Sequence, residues 1–213
     1  METPSVNKER LPLTPEQLLE GTKVTKLVWE ANKKNGVNVT WKNDTWVGYS
    51  KKDGTIEMGT QPVPEEIKDA WGMSNLPDES VKTYILSHEN MHHVLWATFD
   101  DEEEFPEIRK LLNSLSVLRN NTDTGMSRLG SMKLYDAEGR NTAHEEDVVE
   151  LMNMYGIDPQ NLKDYLNWLV TSDKQLLNQQ RLFKLDSQET ADAFLSQVST
   201  TIEKFLKKNG VVI

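Results

Sequence analysis

The chain has 213 residues, enough for one sizeable core or for a small core with a helical appendage. Its 24 basic and 34 acidic residues give a formal charge of 24 − 34 = −10, with no Lys/Arg cluster of the kind that nucleic acid or an anionic membrane surface requires, so neither is expected as a partner. With no cysteine there is no disulfide framework and no thiolate ligand, and any zinc must be held by imidazole and carboxylate.

The opening stretch "METPSVNKERLPLTPEQ" lacks the apolar core of a signal peptide, and no apolar run approaches the length of a membrane span. A cytoplasmic setting is therefore expected; secretion would require a signal peptide that the mature chain no longer carries.

"LTPEQLLEGTKVTKLVWEANKKNG" predicts a first helix, with Thr14 as N-cap, Pro15 at the first helical position and Gly36 just past the end. "GVNVTWKNDTWVGYSKKDGTIEMGT" alternates apolar and polar residues between turn signals at Asn43-Asp44 and Asp53-Gly54. Three short antiparallel strands are expected, the last being "TIEMG". A small helix from Glu65 to Trp71 leads to a long one that starts near Asp78 or Ser80.

After the acidic run "DDEEE", a helix is expected at about 105 to 120, then a Gly-, Ser- and Asn-rich connection to Asn141. "TAHEEDVVELMNMYG" predicts the next helix, capped near Asn141 or Thr142 and closed by Gly156. From Pro159 to Lys208 three further segments carry helical apolar spacing. The six tryptophans are expected mainly in the core.

The long helix contains "YILSHENMHHVLW", with three of the four histidines. His88 and His92 are four residues apart, which leaves them about 40° apart around the axis and one turn along it, so both imidazoles can reach one metal. Glu89 projects about 100° from His88, where a carboxylate can meet a water on that metal without being a ligand. This is the His-Glu-x-x-His arrangement, in which two histidines hold zinc and the glutamate takes the proton of the water. His93 lies about 100° beyond His92 and is expected to be a surface or supporting group.

A catalytic zinc takes three protein ligands and keeps one position open. The third is expected from "AHEEDVVELMNMY", where His144, Glu145 and Glu146 compete. The apolar stripe Val148, Leu151, Met152 and Tyr155 extends back to Glu145. Only Glu146, however, has an acidic residue four positions later, Glu150, and an outer carboxylate fixes the tautomer and aim of a ligating imidazole. Acidic side chains that offset the dipole of a helix N-terminus would account for "HEED" without any metal.

The His-Glu-x-x-His helix followed by "EDVVE" resembles the gluzincin metallopeptidases, in particular their minimal and lethal-factor-like members. The resemblance covers roughly residues 37 to 156 and is specific at only a handful of positions. It implies an α+β fold: a mainly helical, zincin-like catalytic domain over residues 1–158 with a small mixed or antiparallel sheet. Residues 159–213 then form a C-terminal helical extension packed on that domain.

It also implies one zinc held by His88, His92 and Glu146, with Glu150 bonded to a motif histidine, and Glu89 as general base in peptide hydrolysis. "TIEMG" would be the sheet edge that takes an extended peptide or protein substrate. Tyr135 is the first choice for a donor to the tetrahedral oxyanion, with Tyr155 and His144 behind it. The rival reading is a non-catalytic binding or scaffold protein that keeps the zincin shape around a structural or vestigial zinc.

Overall fold

The computed structural model of the chain describes residues 13–101, 103–108, 110–111, 142–171 and 187–212, with residues 142–144 described in backbone alone. The elements run α1 (Pro15–Leu18), α2 (Thr25–Lys34), β1 (Asn38–Lys42), β2 (Gly48–Ser50), β3 (Thr55–Gly59), α3 (Glu65–Ala70), α4 (Asp78–Phe99), α5 (Thr142–Ile157), α6 (Pro159–Thr171) and α7 (Gln188–Lys208). The class is the expected one: α+β, mainly helical, with a three-stranded sheet and helices at the C-terminal end. Residues 106–108 and 110–111 are helical, while the rest of the helix expected to 120 and the segment 172–186 lie outside the described residues.

The first predicted helix is two. Thr14 caps α1 with a reciprocal pair of bonds to Gln17, at 3.2 and 2.8 Å, as its hydroxyl and Pro15 foreshadowed. The chain then breaks around Gly21, because the donors that would continue the helix are taken elsewhere. The N–H groups of Lys23 and Val24 donate to the carbonyls of Ile157 and Gly156, at 3.0 and 2.9 Å. This docks the end of α5 on the start of α2. The contact leaves no room at Gly156, where an added Cβ would lie 2.3 Å from Met91 Cε and 2.4 Å from Thr25 Oγ1.

The sheet order is β1-β3-β2, and only the β2–β3 pair is antiparallel, through the Asp53-Gly54 turn in which Gly54 adopts φ +91°. β1 pairs parallel to β3, Asn38 opposite Thr55 through Lys42 opposite Gly59. The turn at Asn43-Asp44 is therefore a crossover to the far side of β3, not a hairpin. β3, the "TIEMG" segment, is hydrogen-bonded on both sides, so it is the central strand and not the expected edge. The Lys82 ammonium, buried on α4, donates to the carbonyls of Trp46 and Gly59 at 2.9 and 2.7 Å and holds the crossover down.

α4 serves both halves of the core. Its N-terminal part (Val81, Ile85, Leu86) packs with Ile56, Met58, Trp29 and Leu19, and its C-terminal part (Met91, Val94, Leu95) with helices α2, α5, α6 and α7. Each fully buried aliphatic side chain contributes roughly 1.5–3 kcal/mol, so α4 is fixed by burial along much of its length.

Its rotation is fixed by a buried polar network. Asn32 Nδ2 donates to Asn90 Oδ1 at 2.6 Å and to Asn90 O at 3.0 Å, Asn90 Nδ2 donates to Thr25 O at 3.3 Å, and the hydroxyls of Thr25 and Ser87 pair at 2.8 Å. Buried polar groups tolerate few alternative pairings. With Ser87 and Asn90 held on α2, the His88/His92 stripe is left facing α5. Among the described residues, no helix is long and apolar enough to cross a membrane.

Candidate metal centre

α5 lies along α4 and is buried around most of its circumference: Asp147, Val148, Val149, Leu151, Met152 and Asn153 are each 0% exposed. A helix buried on all sides has no single apolar stripe. This is why the periodicity that favoured Glu145 could not decide between neighbouring carboxylates.

What decides is the approach to α4. His88 Nε2 lies 3.1 Å from Glu146 Oε2, and His92 Nε2 lies 3.5 Å from Glu146 Oε1. The ligand atoms of His88, His92 and Glu146 all fall within 4.8 Å of one another, so this group could hold a metal ion.

The opposite ring nitrogens are also occupied. His88 Nδ1 donates to Glu150 Oε2 at 3.1 Å, the contact with a motif histidine that the resemblance implied. His92 Nδ1 donates to Glu145 Oε1 at 3.1 Å. Glu145 thus faces the side of His92 away from Glu146. A proton held on each Nδ1 leaves each Nε2 lone pair for a metal, the tautomer that ligation needs. The donor set of two imidazole nitrogens and one carboxylate fits a borderline-soft divalent ion.

Two side chains to which sequence reasoning assigned no part in the site, Trp96 and Tyr84, complete the arrangement. Trp96 Nε1 donates to Glu145 Oε1 at 2.5 Å, and the Tyr84 hydroxyl donates to Glu150 Oε1. The only sequence signal for them was spacing: Tyr84, His88, His92 and Trp96 recur every four residues.

His93 lies outside the group. Its ring meets Trp96 edge-on at 5.1 Å, and burial, then the charge of His92, push its pKa down to about 4. Glu89 is half-buried beside β2, and Ser50 Oγ donates to its carbonyl at 2.7 Å. β2 approaches so closely that an added Cβ at Gly48 would lie 2.3 Å from Ile85 Cγ2 and 3.0 Å from Glu89 Cγ.

Tyr135 and the side chain of His144 lie outside the described residues. Tyr155 packs against the helical core, with its pKa raised by burial and then by Glu203 on α7. It sits about 13 Å further along the axis of α5 than Glu146.

Burial alone would lower the pKa of His88 and His92. For His88 the carboxylates of Glu146 and Glu150 outweigh it and hold the imidazole well above its ordinary value, and for His92 those of Glu145 and Glu146 raise it from 6.5 to about 9. Glu146 is held well below the usual carboxylate range: burial pushes it up, but the two imidazoles prevail. A raised imidazole pKa stabilises the fold below about 6.5 and loses that contribution as pH climbs through the folded value; a depressed carboxylate acts above its ordinary pKa.

The thermal midpoint of chelator-treated protein is therefore expected to fall by roughly 5 °C from about pH 6 to about pH 9.5, and His92→Gln to remove the His92 share of that slope while leaving that of His88. Melts across this window check it. A level or rising midpoint would show that the imidazoles are not charged in the metal-free fold.

No protein family, curated protein or solved structure matches the chain. What the geometry supports by itself is a mixed α/β fold carrying a buried His88/His92/Glu146 group that could bind a metal, with no family identified.

Proposed function

We propose that this chain is a zinc-dependent peptidase, in which His88, His92 and Glu146 hold the ion and Glu89 is the general base. One observation carries the reading. Both Nε2 atoms converge on one carboxylate while both Nδ1 atoms are held from behind by others, an arrangement that aims both Nε2 atoms at a common point. A solvated helix N-terminus would not require it.

Zinc bound here supplies a Lewis acid for the scissile carbonyl and lowers the pKa of a bound water towards about 7. The protein's own contribution is proton transfer and alignment. Glu89 follows His88 by one residue and points towards β2 instead of joining the ligand group, so its carboxylate is available to accept a proton from the attacking water. It then returns that proton to the leaving nitrogen.

Substrate alignment falls to β2, now the edge strand beside α4. Val47 O and Lys51 N bond to β3, at 2.9 and 2.8 Å, so by antiparallel alternation the backbone groups of Gly48 and Ser50 are directed away from it. An extended peptide or protein segment docks there as an added strand. Because Gly48 lies against Glu89, that strand would pass the base at close range.

The test is removal and return of the metal. Purified protein is expected to carry about one zinc per chain, to lose cleavage of a peptide library on chelation, and to regain it with stoichiometric zinc. Protein that binds zinc but cleaves nothing would favour the scaffold reading, and protein that binds none would remove both.

A further inference from the structure

We propose that Tyr84 and Trp96 are positioning residues of the metal centre, each acting through one carboxylate of α5: Trp96 through Glu145 on His92, and Tyr84 through Glu150 on His88. The inference rests on the reading that His88, His92 and Glu146 ligate zinc; it does not require peptidase activity.

The geometry is a pair of relays built on one stripe. Residues four apart on a helix are displaced by only about 40°, so Tyr84, His88, His92 and Trp96 all present to α5. The two aromatic donors bracket the two imidazoles, one turn before and one turn after. Glu150 is gripped through both oxygens, Oε1 by the Tyr84 hydroxyl and Oε2 by His88 Nδ1. Glu145 is gripped through Oε1, which accepts from Trp96 Nε1 and from His92 Nδ1. The Trp96 ring also lies against the His92 imidazole, 5.5 Å between centroids.

A glutamate side chain has considerable rotamer freedom, and a single bond to an imidazole does not fix it. The second donor does, and it thereby fixes the ring plane and tautomer of the ligand. An outer carboxylate that orients a ligand changes metal affinity by about 10- to 100-fold when removed. Here each histidine has its own, and each carboxylate has its own anchor on the ligand helix.

A thermodynamic cycle on zinc affinity, measured by chelator competition, separates this role from ordinary packing. Glu145→Gln and Glu150→Gln are expected to weaken zinc binding by about 10- to 100-fold each. Tyr84→Phe deletes only the hydroxyl donor, whereas Trp96→Phe deletes the indole N–H together with part of the ring; each is expected to weaken it by about tenfold. Because each donor acts through its carboxylate, Tyr84→Phe/Glu150→Gln is expected to bind no more weakly than Glu150→Gln alone, and Trp96→Phe/Glu145→Gln to stay within about threefold of Glu145→Gln, the remainder being the ring contact with His92. Across relays the losses should multiply, so Trp96→Phe/Tyr84→Phe loses about 100-fold.

Losses that multiply within a relay, or anchor variants within about twofold of wild type, overturn the proposal. Should Trp96→Phe lower the metal-free melting point, the isosteric Glu145→Gln carries the test for His92. A wild type that binds zinc and cleaves nothing defeats the peptidase reading and leaves the relays standing, whereas a wild type that binds no zinc defeats both.

Discussion

Glu89→Gln is expected to reduce cleavage of a peptide library about a thousandfold while zinc content stays at about one ion per chain. The substitution is isosteric and removes the proton acceptor alone. Metal should persist because Glu89 stands outside the ligand group and its place on α4 is fixed by backbone contact, Ser50 Oγ on its carbonyl at 2.7 Å. A second effect works in the same direction. The Glu89 charge raises the pKa of both His88 and His92, so neutralising it makes the imidazoles easier to deprotonate and offsets the lost attraction for a cation. Zinc analysis and initial cleavage rates on the same preparation check the prediction. Activity within about tenfold of wild type would take the general-base role away from this residue.

The parts of the site legible in the sequence are those set by local helix geometry. His88, Glu89 and His92 follow from a fixed rise and rotation per residue, and the Glu146/Glu150 pair repeats the same four-residue step on a second helix. Such spacings hold whatever the rest of the chain does. The sheet is different in kind: Asn43-Asp44 signals a change of direction, but whether β1 then pairs with β2 or with β3 depends on a crossover held by Lys82 from α4, 36 residues beyond its partner Trp46 and invisible to a turn signal.

The break near Gly21 is likewise tertiary, since the donors of Lys23 and Val24 are claimed by the end of α5. The bond from Trp96 Nε1 to Glu145, at 2.5 Å, had no signature in the sequence, because an indole on a helix reads simply as a core side chain. The choice between Glu145 and Glu146 needed the contact with α4, because α5 is buried around most of its circumference.

That choice carries the other large expected effect. Glu146→Ala should weaken zinc binding by at least about a thousandfold, because it removes one of the three proposed ligands and, among the described residues, the carboxylate that meets the Nε2 side of both imidazoles, at 3.1 and 3.5 Å. Glu145 cannot replace it without giving up the Trp96 indole and uncovering His92 Nδ1, to which it lies 3.1 Å away.

The same variant should change the metal-free protein in a way that loss of packing would not. With Glu146 gone, the bond that helps hold both imidazoles charged is lost, their pKa values move back towards 6.5, and the decline in stability from about pH 6 to about pH 9.5 flattens. Chelator competition and pH-dependent melts on one preparation read both effects. Zinc affinity within about tenfold of wild type would mean that the third ligand lies elsewhere on α5. An unchanged pH slope would mean that Glu146 does not hold the two imidazoles in the metal-free fold, and the convergence on which the peptidase reading depends would be lost with it.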